Sequence, residues 1–171
     1  MNIMRFVAPI GSVVLLTLLA AMPLGVPAGD RFFLPLLPVV AVHYWTLRHD
    51  AWLPEWVVFL AGLMLDILTH GPLGYWAFIY LLAHLTATLS TRLHVESTLG
   101  RLVLLGFAIL LLTFVAWLVA SIYFFEVLDV MPYVTGAVLA SICAVLIILP
   151  VLRLLDGAAE SGRAMRLTRG A

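Results

Sequence analysis

The sequence predicts an all-α polytopic membrane protein with six transmembrane helices. Of its 171 residues, 64% are hydrophobic and 11% are charged, whereas soluble domains have about 45–50% apolar and roughly 25% charged residues. A soluble fold of this size could not cover so much apolar surface with polar groups. The apolar residues also fall into six segments, which short joints rich in charge, proline or glycine separate. Lipid is therefore the expected solvent, and the zero net charge gives no indication of nucleic acid.

Three of the six segments have the length that a bilayer requires, whereas the second and third are short and the fifth is long enough to tilt. A spanning helix needs about 20 apolar residues, within a range of roughly 17–25. We predict spans at 6–26, 32–47, 54–69, 72–90, 99–125 and 133–155, so that residues 1–155 form one transmembrane domain and 156–171 a short cytoplasmic tail. Two alternatives stay open. The first segment could be a cleaved signal peptide, although its apolar core is long and no clear cleavage site follows; or the short second or third segment could fail to cross.

The arginines predict the orientation. Basic residues concentrate in cytoplasmic joints. With the amino terminus inside, only Arg31 lies on the outer side, and the cytoplasmic side holds Arg5, Arg48, Arg92, Arg101, Arg153, Arg163, Arg166 and Arg169. The reverse orientation inverts this asymmetry, so we expect both termini in the cytoplasm.

Asp66 interrupts the apolar run 59–65 of the third segment. A carboxylate in a spanning helix is costly, so it usually faces a protein interior or water. Helical spacing predicts that Gly62, Asp66 and His70 share one face. Gly62 would let a neighbouring backbone approach, and Asp66 could accept hydrogen bonds from it. The carboxylate could form a polar site open to the outer side, or lock the third helix to a neighbour.

A tight turn, 70–74, joins the third and fourth segments. Pro72 suits the first turn of the fourth helix, where its missing N–H is not needed. Gly71 and Gly74 allow a sharp reversal at the membrane edge. The turn predicts that the third and fourth helices form an antiparallel pair.

Proline and aromatic residues mark the second segment. Pro35 and Pro38 lie inside it, and each removes a backbone hydrogen bond and favours a kink. The bent helix could shape a cavity or fit around a partner. At the inner joint we predict an aromatic belt at the membrane interface, formed by Tyr44, Trp45, Trp52 and Trp56.

The remaining polar residues form no recognisable catalytic motif. His43 and His84 bring polarity into the second and fourth helices, where a lone histidine could relay protons or bind a ligand, but more often bonds a carbonyl or hydroxyl group. The sequence has no HExxH, GxSxG, glycine-rich phosphate loop or cysteine-based motif. We therefore predict no enzymatic activity, no cofactor and no metal site.

Small residues recur in the sixth segment. Gly136, Ala140 and Ala144 lie at spacing four, which permits close helix packing. This face could pack inside the protein or against a partner helix, and the sequence does not distinguish the two.

The stretch 59–74, FLAGLMLDILTHGPLG, resembles the MreD family of bacterial rod shape-determining membrane proteins. That family has a glycine, three hydrophobic residues and an aspartate, then a small polar joint and Pro-Leu-Gly. The similarity covers roughly residues 31–95. It implies that Gly62, Asp66, Pro72 and Gly74 are key positions, and it extends less securely to Pro38 and Tyr44. His70 departs from the pattern, because family members often have a small residue there.

The resemblance implies a non-enzymatic role in the bacterial inner membrane. MreD proteins work with the bitopic protein MreC, the actin-like MreB, RodZ and the RodA–transpeptidase pair that builds lateral peptidoglycan. The family is also similar in fold to the substrate-binding subunits of energy-coupling factor transporters. The alternative hypothesis is therefore a membrane protein that binds a small molecule or lipid, in a pocket around Asp66, His70, Trp76 and His84. An intramembrane enzyme is a weaker third reading.

Overall fold

The computed structural model describes residues 4–22, 28–48, 52–93 and 97–157. These ranges contain six helices and no strand, which confirms the all-α prediction. A 3-10 segment, Ala28–Leu36, leads into the second helix. The helices are α1 Met4–Ala21, α2 Leu37–Arg48, α3 Glu55–Thr69, α4 Tyr75–Thr91, α5 Thr98–Phe124 and α6 Met131–Gly157, the last with a π-helical turn at Ala144–Ile148.

The helix ends follow local backbone chemistry. Ser97 caps α5, because its hydroxyl accepts a hydrogen bond from the Gly100 N–H at 3.1 Å. His70 and Phe125 end α3 and α5 in the left-handed conformation, with φ of 54° and 53°. The predicted end of the first segment at residue 26 and the tail beyond residue 157 lie outside the described residues.

The second segment changes helix type instead of kinking within one helix. Pro35 lies in the 3-10 segment, and Pro38 lies in the first turn of α2. In a 3-10 helix the Pro35 carbonyl would accept a hydrogen bond from residue 38, but proline has no N–H to donate. The Tyr80 hydroxyl donates to that carbonyl at 3.0 Å instead. The proline pair therefore joins the second segment to α4 through a buried tyrosine.

The helices form one bundle around α2. This helix contacts α1, α4, α5 and the π-helical turn of α6, and all but four of its residues are buried. Arg48, Arg101 and Arg153 lie around one pocket, which marks what we call the arginine end of the bundle. The turn 70–74, the end of α5 and the start of α6 lie around another groove, which marks the turn end.

The small-residue face of α6 packs inside the protein. Gly136, Ala140 and Ala144 are buried, and α6 packs against the 3-10 segment. A Cβ atom at Gly136 would lie 2.9 Å from Cδ1 of Phe32 and 3.2 Å from the backbone N of Phe33. The small-residue face of α6 therefore packs inside the protein, which is one of the two roles that the sequence leaves open.

Large apolar side chains cover much of the outer surface. On α5 one stripe is exposed along its length, and the opposite face is buried; the exposed residues are Val103, Phe107, Leu110, Phe114 and Leu118. By length and composition, α5 and α6 could each cross a membrane. Trp45 does not belong to an interfacial belt, because it is fully buried and its indole N–H donates to the Ser12 hydroxyl at 2.8 Å.

Candidate functional site

Asp66 connects α3 to the beginning of α4. The side chain is fully buried and accepts three backbone hydrogen bonds. Gly74 N–H donates to Oδ2 at 2.8 Å, Trp76 N–H donates to Oδ1 at 2.9 Å, and Ala77 N–H lies 3.4 Å from Oδ2. The first N–H groups of a helix have no partner within it. Asp66 therefore caps α4 from a neighbouring helix, and its negative charge lies at the positive end of the α4 dipole.

Gly62 lies one turn before Asp66 on the same face of α3, directly against α4. A Cβ atom at this position would come within 2.4 Å of Cα of Ala77 and 2.7 Å of the carbonyl oxygen of Trp76. Both contacts are with backbone, which cannot rotate away. Glycine thus permits the close approach that lets Asp66 reach the amide groups of α4. We call Gly62, Asp66 and the three amide groups the carboxylate clasp.

The turn 70–74 does not follow the predicted geometry throughout. Because α3 ends at Thr69, the exposed side chain of His70 does not join Gly62 and Asp66 on the buried face. Pro72 precedes α4 and does not lie in its first turn, so the predicted start of that helix at residue 72 is wrong. The Pro72 carbonyl accepts a hydrogen bond from the Tyr75 N–H at 3.1 Å. Gly74 has φ of 93°, a left-handed conformation that favours glycine.

A second polar cluster lies at the arginine end. The Arg48 guanidinium donates through Nε to Oδ2 of Asp156, and the Tyr44 hydroxyl donates to the same oxygen at 3.3 Å. Asp156 is 1% exposed, whereas the Arg48 side chain is 43% exposed. The cluster ties the end of α2 to the end of α6, which continues through Asp156.

The contact of Asp156 with Arg48 is not predicted from the sequence, which places residue 156 in the cytoplasmic tail, whereas α6 continues to Gly157. The partners are 108 positions apart, and no local pattern relates them. The sequence offers one weak indication of this pair, since Arg48 and Asp156 carry opposite charges at the inner ends of two apolar segments.

Within the described ranges, His43 does not make the bond to a carbonyl or hydroxyl group that the sequence predicts for it. Neither ring nitrogen of His43 has a hydrogen-bond partner among the described residues, and the same holds for Nε2 of His84. His43 lines the pocket at the arginine end. In the ranges that the structure describes, no group of three or more His, Cys, Asp or Glu side chains could hold a metal ion.

A groove of about 410 Å³ opens at the turn end. Its walls are largely aromatic: the Phe32 and Tyr133 ring centroids are 4.3 Å apart, and those of Phe32 and Trp76 are 5.7 Å apart. Of Asp66, His70, Trp76 and His84, around which the sequence predicts a pocket, only Trp76 lines this groove. The groove is lined by Phe32, Pro72, Leu73, Gly74, Tyr75, Trp76, Phe78, Val119, Ala120, Tyr123, Phe124 and Tyr133.

Comparison with known protein families matches residues 2–157 to the family described as rod shape-determining protein MreD. The chain belongs to the MreD family. The match extends well beyond the stretch 31–95 that carries the sequence resemblance, and it includes the carboxylate clasp and Asp156. As a member of the MreD family, the chain is a rod shape-determining membrane protein.

No curated protein and no solved structure gives a match. The similarity of this MreD family member to the substrate-binding subunits of energy-coupling factor transporters therefore stays a prediction.

Proposed function

We propose that the chain spans the bacterial inner membrane six times, with both termini in the cytoplasm. Arg48, Arg101 and Arg153 come from three different helices and lie together at the arginine end, and Arg92 follows α4. The positive-inside rule assigns this end to the cytoplasm. The carboxylate clasp and the turn 70–74 then face the periplasm.

Labelling of single cysteines tests this orientation. Cys143 is the one cysteine of the chain, so Cys143→Ala gives a cysteine-free background. Leu73 and Leu93 flank α4 and are 74% and 62% exposed. In whole cells with a permeable outer membrane, a membrane-impermeant maleimide should label Leu73→Cys, whereas Leu93→Cys should react only after lysis. Labelling of Leu93→Cys in intact cells would refute the orientation.

Within this topology, we propose a non-enzymatic role in the cell-elongation complex. The protein binds MreC and helps regulate lateral peptidoglycan synthesis, together with MreB, RodZ and the RodA–transpeptidase pair. Asp66 supports a scaffold over an enzyme, because its oxygens are engaged by backbone N–H groups and are not presented to a substrate. Binding of MreC would bias which state of the synthase complex is populated.

The main support for the proposed binding of MreC is a long apolar groove between α1 and the carboxyl half of α6. Its volume is about 540 Å³. It follows α1 from Val7 to Leu19, or roughly 18 Å at 1.5 Å per residue. Gly11 lines it, and a Cβ atom there would meet nothing within 4 Å. A small residue in an open apolar groove lets a second helix approach closely, and the single membrane helix of MreC is the occupant that we propose.

A matched pair of glycine variants tests the groove. Gly11→Leu fills it, whereas Gly106→Leu adds the same side chain to α5, where a Cβ atom also meets nothing within 4 Å. Capture of MreC from membranes should fall at least about tenfold for Gly11→Leu, since a blocked helix interface loses more than about 1.4 kcal/mol. Gly106→Leu should capture MreC like the wild type.

Two outcomes would count against the MreC proposal. Undiminished capture by Gly11→Leu would show that MreC binds elsewhere. If the groove instead holds lipid acyl chains, Gly11→Leu should release bound lipid from the purified protein and leave MreC capture unchanged.

The aromatic groove at the turn end favours a second candidate function, the binding of a small molecule or lipid as in a transporter substrate-binding subunit. Aromatic walls with a few polar groups are typical of ligand sites. Native mass spectrometry of the purified protein should then detect a retained ligand, and Tyr133→Ala should reduce its occupancy. A protein that is empty in every preparation would contradict this candidate.

A further inference from the structure

The α3 helix presents a short apolar surface to the outside of the bundle. One face of the helix is buried against its neighbours, and the other carries exposed apolar side chains. From Trp56 to Leu68 this surface measures roughly 18 Å at 1.5 Å per residue. Its exposed residues are Trp56, Phe59, Leu60, Ile67 and Leu68.

Polar residues limit this surface at both ends. Glu55, the first residue of α3, is exposed, and so is His70, which follows its last residue. The 15 residues of the helix extend over about 22 Å, whereas the hydrocarbon core of a bilayer is about 30 Å thick. In the six-span topology, α3 is therefore roughly 8 Å shorter than the hydrocarbon that it crosses.

The structure leaves α3 few ways to make up this difference. Tilting lowers the height that a helix spans, so a tilted α3 would be shorter still. Long charged side chains can reach from a helix end to the interface, but the glutamate and the histidine at the ends of α3 are short. The carboxylate clasp fixes α3 against α4, which is itself short, with 17 residues. The bilayer must therefore adapt to this pair of helices.

The α5 helix has the opposite relation to the bilayer. It has 27 residues, and its exposed apolar surface runs from Val103 to Phe124, or roughly 32 Å. Tilting can bring a helix of this length to the thickness of the bilayer. The bundle thus presents one short apolar wall at α3 and one long apolar wall at α5, and a bilayer of uniform thickness does not match both.

We propose that the α3 face thins the bilayer beside it and selects phospholipids with short acyl chains over those with long chains. A helix shorter than the hydrocarbon core thins the bilayer locally, and short chains fill a thin bilayer with less deformation. The selection depends on chain length and not on headgroup charge. The proposal rests on the six-span topology and does not depend on MreC.

Quenching of tryptophan fluorescence by brominated lipid tests the preference at each wall. Trp56 is itself exposed, so Trp56→Phe removes its signal. In that background, Leu60→Trp reports on α3 and Leu110→Trp reports on α5, where the native side chains are 50% and 62% exposed. The full chain is reconstituted in brominated dioleoyl phosphatidylcholine with an unbrominated phosphatidylcholine as competitor. The competitor carries myristoleoyl, oleoyl or erucoyl chains, in order of increasing length.

The two reporters should give different orders of lipid binding. At Leu60→Trp, the myristoleoyl lipid should bind about threefold more strongly than the erucoyl lipid, because it needs less deformation to match α3. At Leu110→Trp, the short-chain lipid should have no advantage, because α5 is long enough to cross a thick bilayer.

A matched pair of isoleucine variants changes the height of each wall. Ile67 and Ile122 lie near the outer ends of α3 and α5 and are 58% and 63% exposed, so neither variant removes a buried side chain. Ile67→Gln shortens the apolar surface of α3 and should raise the preference for the myristoleoyl lipid at Leu60→Trp by about twofold. Ile122→Gln should leave that preference unchanged.

Three results would overturn the proposal. Equal binding of the myristoleoyl and erucoyl lipids at Leu60→Trp would show that α3 does not select chain length. The same preference for short chains at both reporters would assign it to the reconstituted bilayer and not to α3. Absence of quenching at Leu60→Trp would show that protein, such as a second copy of the chain, covers this face.

The topology and the thinning can fail separately. Labelling of Leu73→Cys and Leu93→Cys tests the topology without reference to lipid chain length. The expected labelling pattern together with no chain-length preference would refute the thinning alone, whereas labelling of Leu93→Cys in intact cells would remove the topology on which it rests.

Discussion

Replacement of Asp66 by alanine should strongly destabilise the protein. The variant removes the acceptor of the carboxylate clasp and leaves the Trp76 and Ala77 N–H groups buried without it. The cost arises in the folded state, because Trp76 and Ala77 are buried and their N–H groups would lose an acceptor. A local change at one residue should therefore loosen the whole α3–α4 pair.

The magnitude follows from the hydrogen bonds. Two of them, from Gly74 and Trp76, are shorter than 3.0 Å, and a hydrogen bond to a charged group contributes about 1.5–3 kcal/mol. The Ala77 contact at 3.4 Å is too long to add much. Asp66→Ala should therefore lower the free energy of unfolding by about 3–6 kcal/mol. Asp66→Asn keeps one acceptor oxygen and should lose roughly half as much.

The assay is reversible unfolding in mixed micelles with increasing SDS, followed by circular dichroism. Asp129→Ala is the control, because this carboxylate also accepts a backbone hydrogen bond, from Met131 N–H at 3.0 Å, but in an exposed position. It should cost less than about 1 kcal/mol. If Asp66→Ala unfolded within about 1 kcal/mol of the wild type, the clasp would not hold α3 to α4, and the reasoning would be refuted.

Two further predictions concern helix contacts. Gly62→Ala places a Cβ atom 2.4 Å from Cα of Ala77, which forces the two backbones apart and should lower the free energy of unfolding by at least about 1–3 kcal/mol in the same assay. The control is Gly11→Ala, whose Cβ atom meets nothing within 4 Å and which should be neutral or stabilising by up to about 1 kcal/mol. Equal stability of the two variants would contradict the close contact at Gly62. Arg48→Gln removes the ion pair between Arg48 and the buried Asp156 carboxylate and should cost about 1–3 kcal/mol, given that Arg48 is partly solvated. Adding Asp156→Asn should recover part of that loss, and an additive double variant would show that the two residues do not couple.

Local patterns predicted the elements better than their contacts. The third segment, 54–69, agrees closely with α3 at Glu55–Thr69, because an apolar run bounded by Pro54 and by a glycine-containing turn has few other conformations. The predicted start of α4, at residue 72, is three residues too early. Pro72 is favourable in a first helical turn, but the Asp66 carboxylate and the positive φ of Gly74 fix the start at Tyr75, and both effects depend on tertiary contact.

The candidate site was predictable only where helical spacing determines which residues share a face. Gly62 and Asp66 are one turn apart on a helix, so the sequence alone places them on one face. His70 lies beyond the end of that helix, where the spacing rule no longer applies. His43 and Trp45 show a different limit, because burial depends on which helices surround α2, and no local signal carries that information.

Composition and spacing are enough to predict that this protein is built from apolar helices, that its basic residues concentrate in alternate joints, and that Asp66 needs a partner. These properties follow from composition and helical periodicity, which act over a few residues. The partners themselves depend on how the helices pack: the amide groups of α4 for Asp66, Arg48 for Asp156, and the 3-10 segment for the small residues of α6. A buried charge must be satisfied, but several neighbours could satisfy it, and helix packing selects one.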